Sequence, residues 1–203
     1  MNARDKVREL FNRVSYLTLE EKKFIVENTI IEKFSKGTIL LRQGQVPTKC
    51  FTVLEGCVRE YTMSKGEEKT TGFFTEGDTI APHTYHESGE PSDHFLECLE
   101  NSTLSVTDKQ FERLLLLSFP RLAEVMPEFM VEELKKAKSE WTRFITSSPE
   151  ERYIDLMESR PSLFNRVAHH QIASYLGMQP QSLSRIRKRV FHKETQPLNG
   201  QSD

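Results

Sequence analysis

The sequence predicts an α+β chain: an antiparallel β-roll or barrel, then a long helix, then a helix-turn-helix near the C-terminus. Three observations carry this. Gly37, Gly44, Gly56, Gly66 and Gly77 recur about every ten residues between short β-branched and aromatic segments, the texture of an antiparallel roll. From Met130 the apolar residues Met130, Leu134, Ala137, Trp141 and Phe144 step by 4, 3, 4 and 3, which keeps a seam facing a second helix. Between His169 and Lys188, a small residue, a glycine and five apolar residues fall where two short helices crossing at a tight turn need them.

In chain order, Arg4–Arg13 and Thr18–Thr29 read as helices. Thr18 precedes Glu21 in the N-cap to N3 spacing, so each side chain can accept from a backbone N–H that the helix itself leaves free. Strands are expected at Thr38–Leu41, Cys50–Leu54, Val58–Met63 and Thr70–Phe74, resuming at Phe95–Leu99 and Thr103–Val106. Asp108 can cap a short helix through Leu117. Pro120 suits the first turn of the next helix, since it lacks a donor that would go unpaired there, and Pro127 is a place where that helix can kink or restart. Ser148 and Pro149 suit Ncap and N1 of a helix to about Ser159, which makes Ser147–Pro149 a hinge and the expected domain boundary. The expected domains are residues 1–119, a connecting helix at 120–147, and 148–203, with a frayed polar tail from Glu194.

Composition narrows the class. Apolar residues make up 36% and charged residues 29%, as in a globular chain rather than a disordered one. Met1–Val14 alternates charged and apolar residues, unlike a secretory leader, and no apolar run approaches membrane-spanning length, so a cytoplasmic protein is expected. The three cysteines, Cys50, Cys57 and Cys98, form no Cys-x-x-Cys pair, which argues against a zinc ribbon or disulfide framework. The net charge of -2 divides unevenly, into -5 over residues 1–140 and +3 over 141–203, so the C-terminal end is the plausible nucleic-acid end.

That end carries the most specific signal. Ala173 is small where the two helices approach, Gly177 can take the positive φ of the turn, and Ile172, Leu176, Met178, Leu183 and Ile186 lock the pair, with Val190 extending the inner face. At 100° per residue, the second helix turns Gln181, Ser184, Arg185 and Lys188 outward, with Ser182 and Arg189 on the flanks and Gln179 at the turn. Arg can grip guanine O6 and N7 with two donors, Gln can pair with adenine, and Lys, Arg or Ser can hold phosphates. A merely solvated basic face would not require the small, glycine and apolar positions together.

Residues 20–192 resemble the cyclic AMP receptor protein and fumarate-nitrate regulator (Crp/Fnr) family of bacterial transcription factors. Phe34-Ser-Lys-Gly37 through Gly44 and Cys50-Phe-Thr-Val-Leu-Glu-Gly56 through Tyr61 look like the opening strands of its β-roll. Phe73-Phe-Thr-Glu-Gly77-Asp78 looks like its next turn, and Ile172-Ala173-Ser-Tyr-Leu176-Gly177 with Leu183-Ser184-Arg185-Ile186 like its DNA-reading motif. The resemblance implies a double-stranded β-helix sensor domain of jelly-roll type, a dimerisation helix and a winged helix-turn-helix. It further implies a homodimer on double-stranded DNA, with RNA polymerase and a small-molecule effector as further partners. Members that bind cyclic nucleotides carry Gly-Glu for the ribose and Arg followed by Ser or Thr for the phosphate. Here Ala81-Pro82 and Pro91-Ser92-Asp93-His94-Phe95 cover those places, no arginine lies between Arg59 and Arg113, and Glu87, Glu90, Asp93 and Glu97 would repel a phosphate. Cyclic AMP is therefore not the expected effector. Three scattered cysteines cannot supply a Cys-only iron-sulfur site, so no cofactor is expected. Little chain follows Val190, so any wing must come from Leu163–Ala168 and a neighbour.

The residues admit two rival readings. His83, His86, Glu87 and His94 could form a cupin-like metal centre if they converged inside the barrel, but they sit in a Pro, Gly, Ser and acid-rich stretch and lack the usual His-x-His pair. Alternatively, the helix-turn-helix could serve protein contacts alone. The sequence thus predicts a non-enzymatic DNA-binding regulator without a metal. Its DNA face comprises Gln179, Gln181, Ser182, Ser184, Arg185, Lys188 and Arg189, and its dimer seam Met130, Leu134, Ala137, Trp141 and Phe144.

Overall fold

The computed structural model describes residues 1–82, 85 and 89–195, with side chains through Phe191. His83, His86 and Glu87 of the cupin-like candidate site, and the tail beyond Thr195, lie outside the described residues. By its contacts the chain divides into Met1–Lys138 and Ser139–Asp203.

In the first unit, α1 (Ala3–Asn12) and α2 (Leu19–Asn28) precede eight strands: β1 (Ile30–Phe34), β2 (Ile39–Leu41), β3 (Lys49–Glu55), β4 (Val58–Ser64), β5 (Glu67–Phe74), β6 (Thr79–Ile80), β7 (Phe95–Cys98) and β8 (Ser102–Asp108). They form two antiparallel four-stranded sheets, β1-β8-β3-β6 and β2-β7-β4-β5. Phe51, Val53, Ile80, Leu104 and Val106 of the first sheet close against Leu41, Val58, Leu96 and Cys98 of the second, all buried. Each such side chain contributes roughly 1.5–3 kcal/mol relative to exposure. This is the predicted α+β roll. Two strands escaped the sequence reading: β1 follows α2 with no glycine between, and β6 is too short to show alternation.

The β3–β4 turn must hold glycine. At Gly56 φ is +110°, and a Cβ there would lie 2.2 Å from Ser102 Oγ, well inside contact distance. α1 packs through Val7 against Val26 and Leu54, and Thr18 and Glu21 form the predicted capping box. Asp108 caps α3 (Lys109–Ser118) by accepting from the Phe111 N–H at 2.8 Å. α4 (Leu122–Thr146) begins two residues after Pro120, which sits in the preceding turn rather than in the helix; the Phe119 carbonyl accepts from the Leu122 N–H there. Pro127 lies inside α4, and the helix runs through it without a restart.

Two local arrangements bear on ligands. Arg59, 2% exposed, donates from Nε to Thr70 Oγ1 at 3.0 Å and from Nη1 to Glu68 at 2.6 Å, and its guanidinium lies 4.4 Å from the Tyr61 ring centre. Ser92 is buried and tied to the β2–β3 turn, its carbonyl accepting from the Gly44 N–H at 2.7 Å and its N–H donating to the Gln45 carbonyl at 2.9 Å. The Ser92 hydroxyl is spent on the His94 backbone, while His94 Nδ1 meets Asp93 Oδ1 at 2.6 Å. All three cysteines are buried thiols outside any disulfide, and burial pushes the Cys50 thiol up to about 12. Among the described residues, no group of three or more His, Cys, Asp or Glu could hold a metal ion.

In the second unit, the last turns of α4 are followed by α5 (Pro149–Ser159), α6 (Leu163–Arg166), α7 (His169–Tyr175) and α8 (Pro180–Thr195). Ser148 and Glu151 form a capping box at the start of α5. The segment on which any wing was to draw, Leu163–Ala168, holds no strand: Leu163 is buried, and Leu163–Arg166 form a single helical turn built on the Arg160 and Pro161 carbonyls. No strand occurs among the described residues of this unit. No described helix is long and apolar enough to cross a membrane.

Candidate nucleic-acid interface

α7 and α8 meet as the residue pattern requires. Ile172, Ala173 and Leu176 of the first and Leu183, Ile186 and Val190 of the second are all buried, and Ala173 has no exposed surface, so a larger side chain there would force the helices apart. Tyr153, Leu156, Leu163 and Val167 are the other buried apolar side chains of this unit. α7 ends in a Schellman turn: the Gly177 N–H donates to the Ser174 carbonyl at 3.0 Å and the Met178 N–H to the Ala173 carbonyl at 2.9 Å. Gly177 adopts φ +70°, as the sequence predicts. The Gln179 carbonyl then accepts from the Ser182 and Leu183 N–H groups, starting α8 with Pro180 in its first turn.

With the inner face buried, Gln179, Gln181, Ser182, Ser184, Arg185, Lys188 and Arg189 are all exposed. The side chains of Gln181, Arg185 and Lys188 have no hydrogen-bond or ion-pair partner among the described residues, so their donors are available to a ligand. Two neighbours are already engaged. The Ser184 hydroxyl donates back to the Pro180 carbonyl at 3.1 Å, and Arg189 Nη1 lies 2.7 Å from Glu150 Oε2, so Arg189 is tied to α5 rather than free to hold a phosphate. Arg187, which the face assignment left out, is exposed and borders a groove of about 650 Å³ with Lys188, Tyr153, Phe164 and Phe191. Its angular position is near the inner face; only the length of the side chain carries its charge out.

On α4, Met130, Leu134 and Trp141 are 54%, 69% and 63% exposed and Ala137 is exposed too, so the described residues leave them uncovered. Phe144 is half-buried, stacked on Trp141 at 6.1 Å between ring centres and lying 4.6 Å from the Arg152 guanidinium. Val131 and Ile145, also exposed, widen the apolar face beyond the predicted stripe.

The Ser147–Pro149 segment, expected to be a hinge, is bridged. Arg152 Nε donates to the Ser147 carbonyl at 3.2 Å and its Nη1 to the Leu176 carbonyl at 2.8 Å, while Arg143 pairs with Asp155. These ties bind the end of α4 to the reading helices. They explain why the division of contacts falls inside α4, between Lys138 and Ser139, rather than at the hinge.

Residues 31–117 match the family model described as cyclic nucleotide-binding domain. The chain is 24% identical over 173 residues to the transcriptional activator protein Anr of Pseudomonas protegens, covering 78% of this chain and 69% of the relative. It is 26% identical over 186 residues to the anaerobic regulatory protein of Haemophilus influenzae, covering 83% and 71%. FixK2 from Bradyrhizobium japonicum shares the fold with a TM-score of 0.65 at 16% identity, over 85% of this chain and 89% of that one. The roll of two four-stranded sheets and the C-terminal helices that follow it are thus similar, in sequence and in fold, to regulators of the Crp/Fnr type, and residues 31–117 form a cyclic nucleotide-binding domain.

Proposed function

We propose that the chain is a homodimeric, sequence-specific DNA-binding transcription regulator. One observation carries the reading: Gln181, Arg185 and Lys188 stand exposed and unengaged on one side of a helix whose other side is buried. Paired α4 helices would set two such readers about 34 Å apart, one in each of two successive major grooves of a near-palindromic site. Arg185 makes the base contact, Gln179, Gln181, Ser182 and Ser184 assist, and Lys188 holds the backbone. RNA polymerase and a small-molecule effector are its further partners.

That effector is not cyclic AMP. Arg59 is consumed by Glu68 and Thr70, the Ser92 hydroxyl by the His94 backbone, and Ala81-Pro82 offers no carboxylate to a ribose. Titration with cyclic AMP is expected to show no binding, and micromolar affinity would overturn this part.

The experiment for the function itself is selection of bound sites from genomic fragments, followed by affinity measured across a salt series. Phosphate contacts release counterions, so affinity for the selected site is expected to fall steeply and linearly on logarithmic axes. Affinity that survives high salt would favour the protein-contact reading of the helix-turn-helix.

A further inference from the structure

We infer that Arg152 is a positioning residue of the DNA reader, clamping the end of α4 to the α7–α8 turn so that the two move as one piece. The inference rests on the proposed DNA-binding function. It goes beyond it by assigning the orientation of the reader to a residue that faces no nucleic acid.

The guanidinium has three partners from two distant stretches of chain. Nε takes the Ser147 carbonyl, Nη1 takes the Leu176 carbonyl, and the plane lies against the Phe144 ring. The first and third belong to the end of the long helix and its junction with α5; the second is the C-cap of α7. Gly177 belongs to the same arrangement, because a Cβ at that position would lie 3.0 Å from Arg152 Nη1 and 4.0 Å from the Phe144 ring. The glycine thus serves the positive φ of the turn and also leaves the space the guanidinium occupies. A lysine cannot reproduce this, since one ammonium on a flexible stem lacks the planar fork that reaches two carbonyls while stacking on a ring. The Arg143–Asp155 pair adds a second tie between α4 and α5.

A junction bridged in this way does not swing at Ser147–Pro149. Whatever displaces the last two turns of α4 carries the reader with it. In a dimer, that rigidity fixes the distance and twist between the two readers, and hence the half-site spacing that is tolerated.

The test compares full-length wild type with Arg152→Met, which keeps the apolar stem, and Arg152→Lys, which keeps the charge. DNA is the selected site, the same site with one base pair inserted or removed between its halves, and a single half-site. Wild type is expected to lose about 100-fold in affinity when the spacing changes, because one base pair rotates a half-site by about 35°. Arg152→Met is expected to lose less than tenfold, with half-site affinity and salt slope unchanged, and Arg152→Lys to fall between. Full spacing discrimination in Arg152→Met would overturn the inference, and so would a salt slope reduced by about one unit, the mark of a phosphate contact.

Hydrogen exchange without DNA separates this failure from failure of the function itself. Arg152→Met is expected to speed exchange at Ser147, Gly177 and Met178 while Leu183, Ile186 and Val190 stay protected. Unchanged rates at those three amides would remove the clamp whether or not the protein binds DNA. Arg152→Lys, which keeps the charge but loses the planar fork, supplies the same comparison should Arg152→Met fail to fold.

Discussion

Glu150 and Arg189 lie 2.7 Å apart across two helices, joining the first turn of α5 to the flank of the reading helix. An arginine held in this way has already spent part of its charge, and the pair is exposed enough to be worth at most about 1 kcal/mol to stability. Arg189→Ala is therefore expected to weaken DNA binding less than threefold and to leave the salt slope unchanged, whereas Lys188→Ala lowers the slope by about one unit. Glu150→Gln should release Arg189 and steepen the slope. Measuring affinity across a salt series for the three variants decides it; equal slope losses at 188 and 189 would return Arg189 to the phosphate contacts.

Arg185 is expected to behave differently, because a base contact carries sequence information. Arg185→Ala should cost about 1–3 kcal/mol on the selected site and relax preference at one base position per half-site. Binding to a panel of single-base variants reads this directly. A uniform loss across the panel would make Arg185 a backbone contact instead.

The apolar face of α4 predicts self-association. Leu134→Glu places a carboxylate in the seam and its twin opposite, at a cost of at least about 3 kcal/mol, so sedimentation is expected to find monomers at concentrations where wild type is dimeric. Trp141 is the sole tryptophan. Its emission should shift to the red on dilution of wild type and sit there already in Leu134→Glu. Monomeric wild type with solvent-exposed emission at all concentrations would contradict the paired-helix arrangement.

Acid stability turns on Glu21. Burial alone would raise its pKa, but hydrogen bonds from Arg121, and then from the Thr18 backbone and hydroxyl, outweigh it and hold the carboxyl below its ordinary range. A depressed folded-state pKa means the contribution is complete above the ordinary glutamate range and is lost as pH falls through the folded value. Glu21→Gln is expected to cost about 1–3 kcal/mol near neutrality, discounted because Arg121 is partly exposed, and to flatten the acid limb of the stability curve. Denaturant unfolding from pH 7 down to pH 3 checks it; parallel acid limbs would rule out Glu21 as a source of the pH dependence.

Much of the fold was legible because its determinants are local. Thr18 with Glu21, Ser148 with Glu151, Asp108 as a cap and Gly177 in the turn each act within a few residues, and the two faces of α8 follow from its period alone. The helical turn at Leu163–Arg166 was not legible because it depends on burial of Leu163 in the second unit's core, which a short window cannot reveal. β1 and β6 were missed for a related reason: pairing with β8 and β3, rather than any local pattern, makes them strands.

What the sequence determined by itself is therefore the order of elements, their caps and turns, and which side of the reading helix is polar, since these depend on spacing along a single segment. Only the tertiary structure decided that Arg59 and Arg189 are engaged and that Arg152 spans the junction expected to be a hinge. The partners Arg152 and Leu176, or Glu150 and Arg189, stand 24 and 39 residues apart, and no propensity or periodicity encodes which distant carbonyl or carboxylate a long cationic side chain will find.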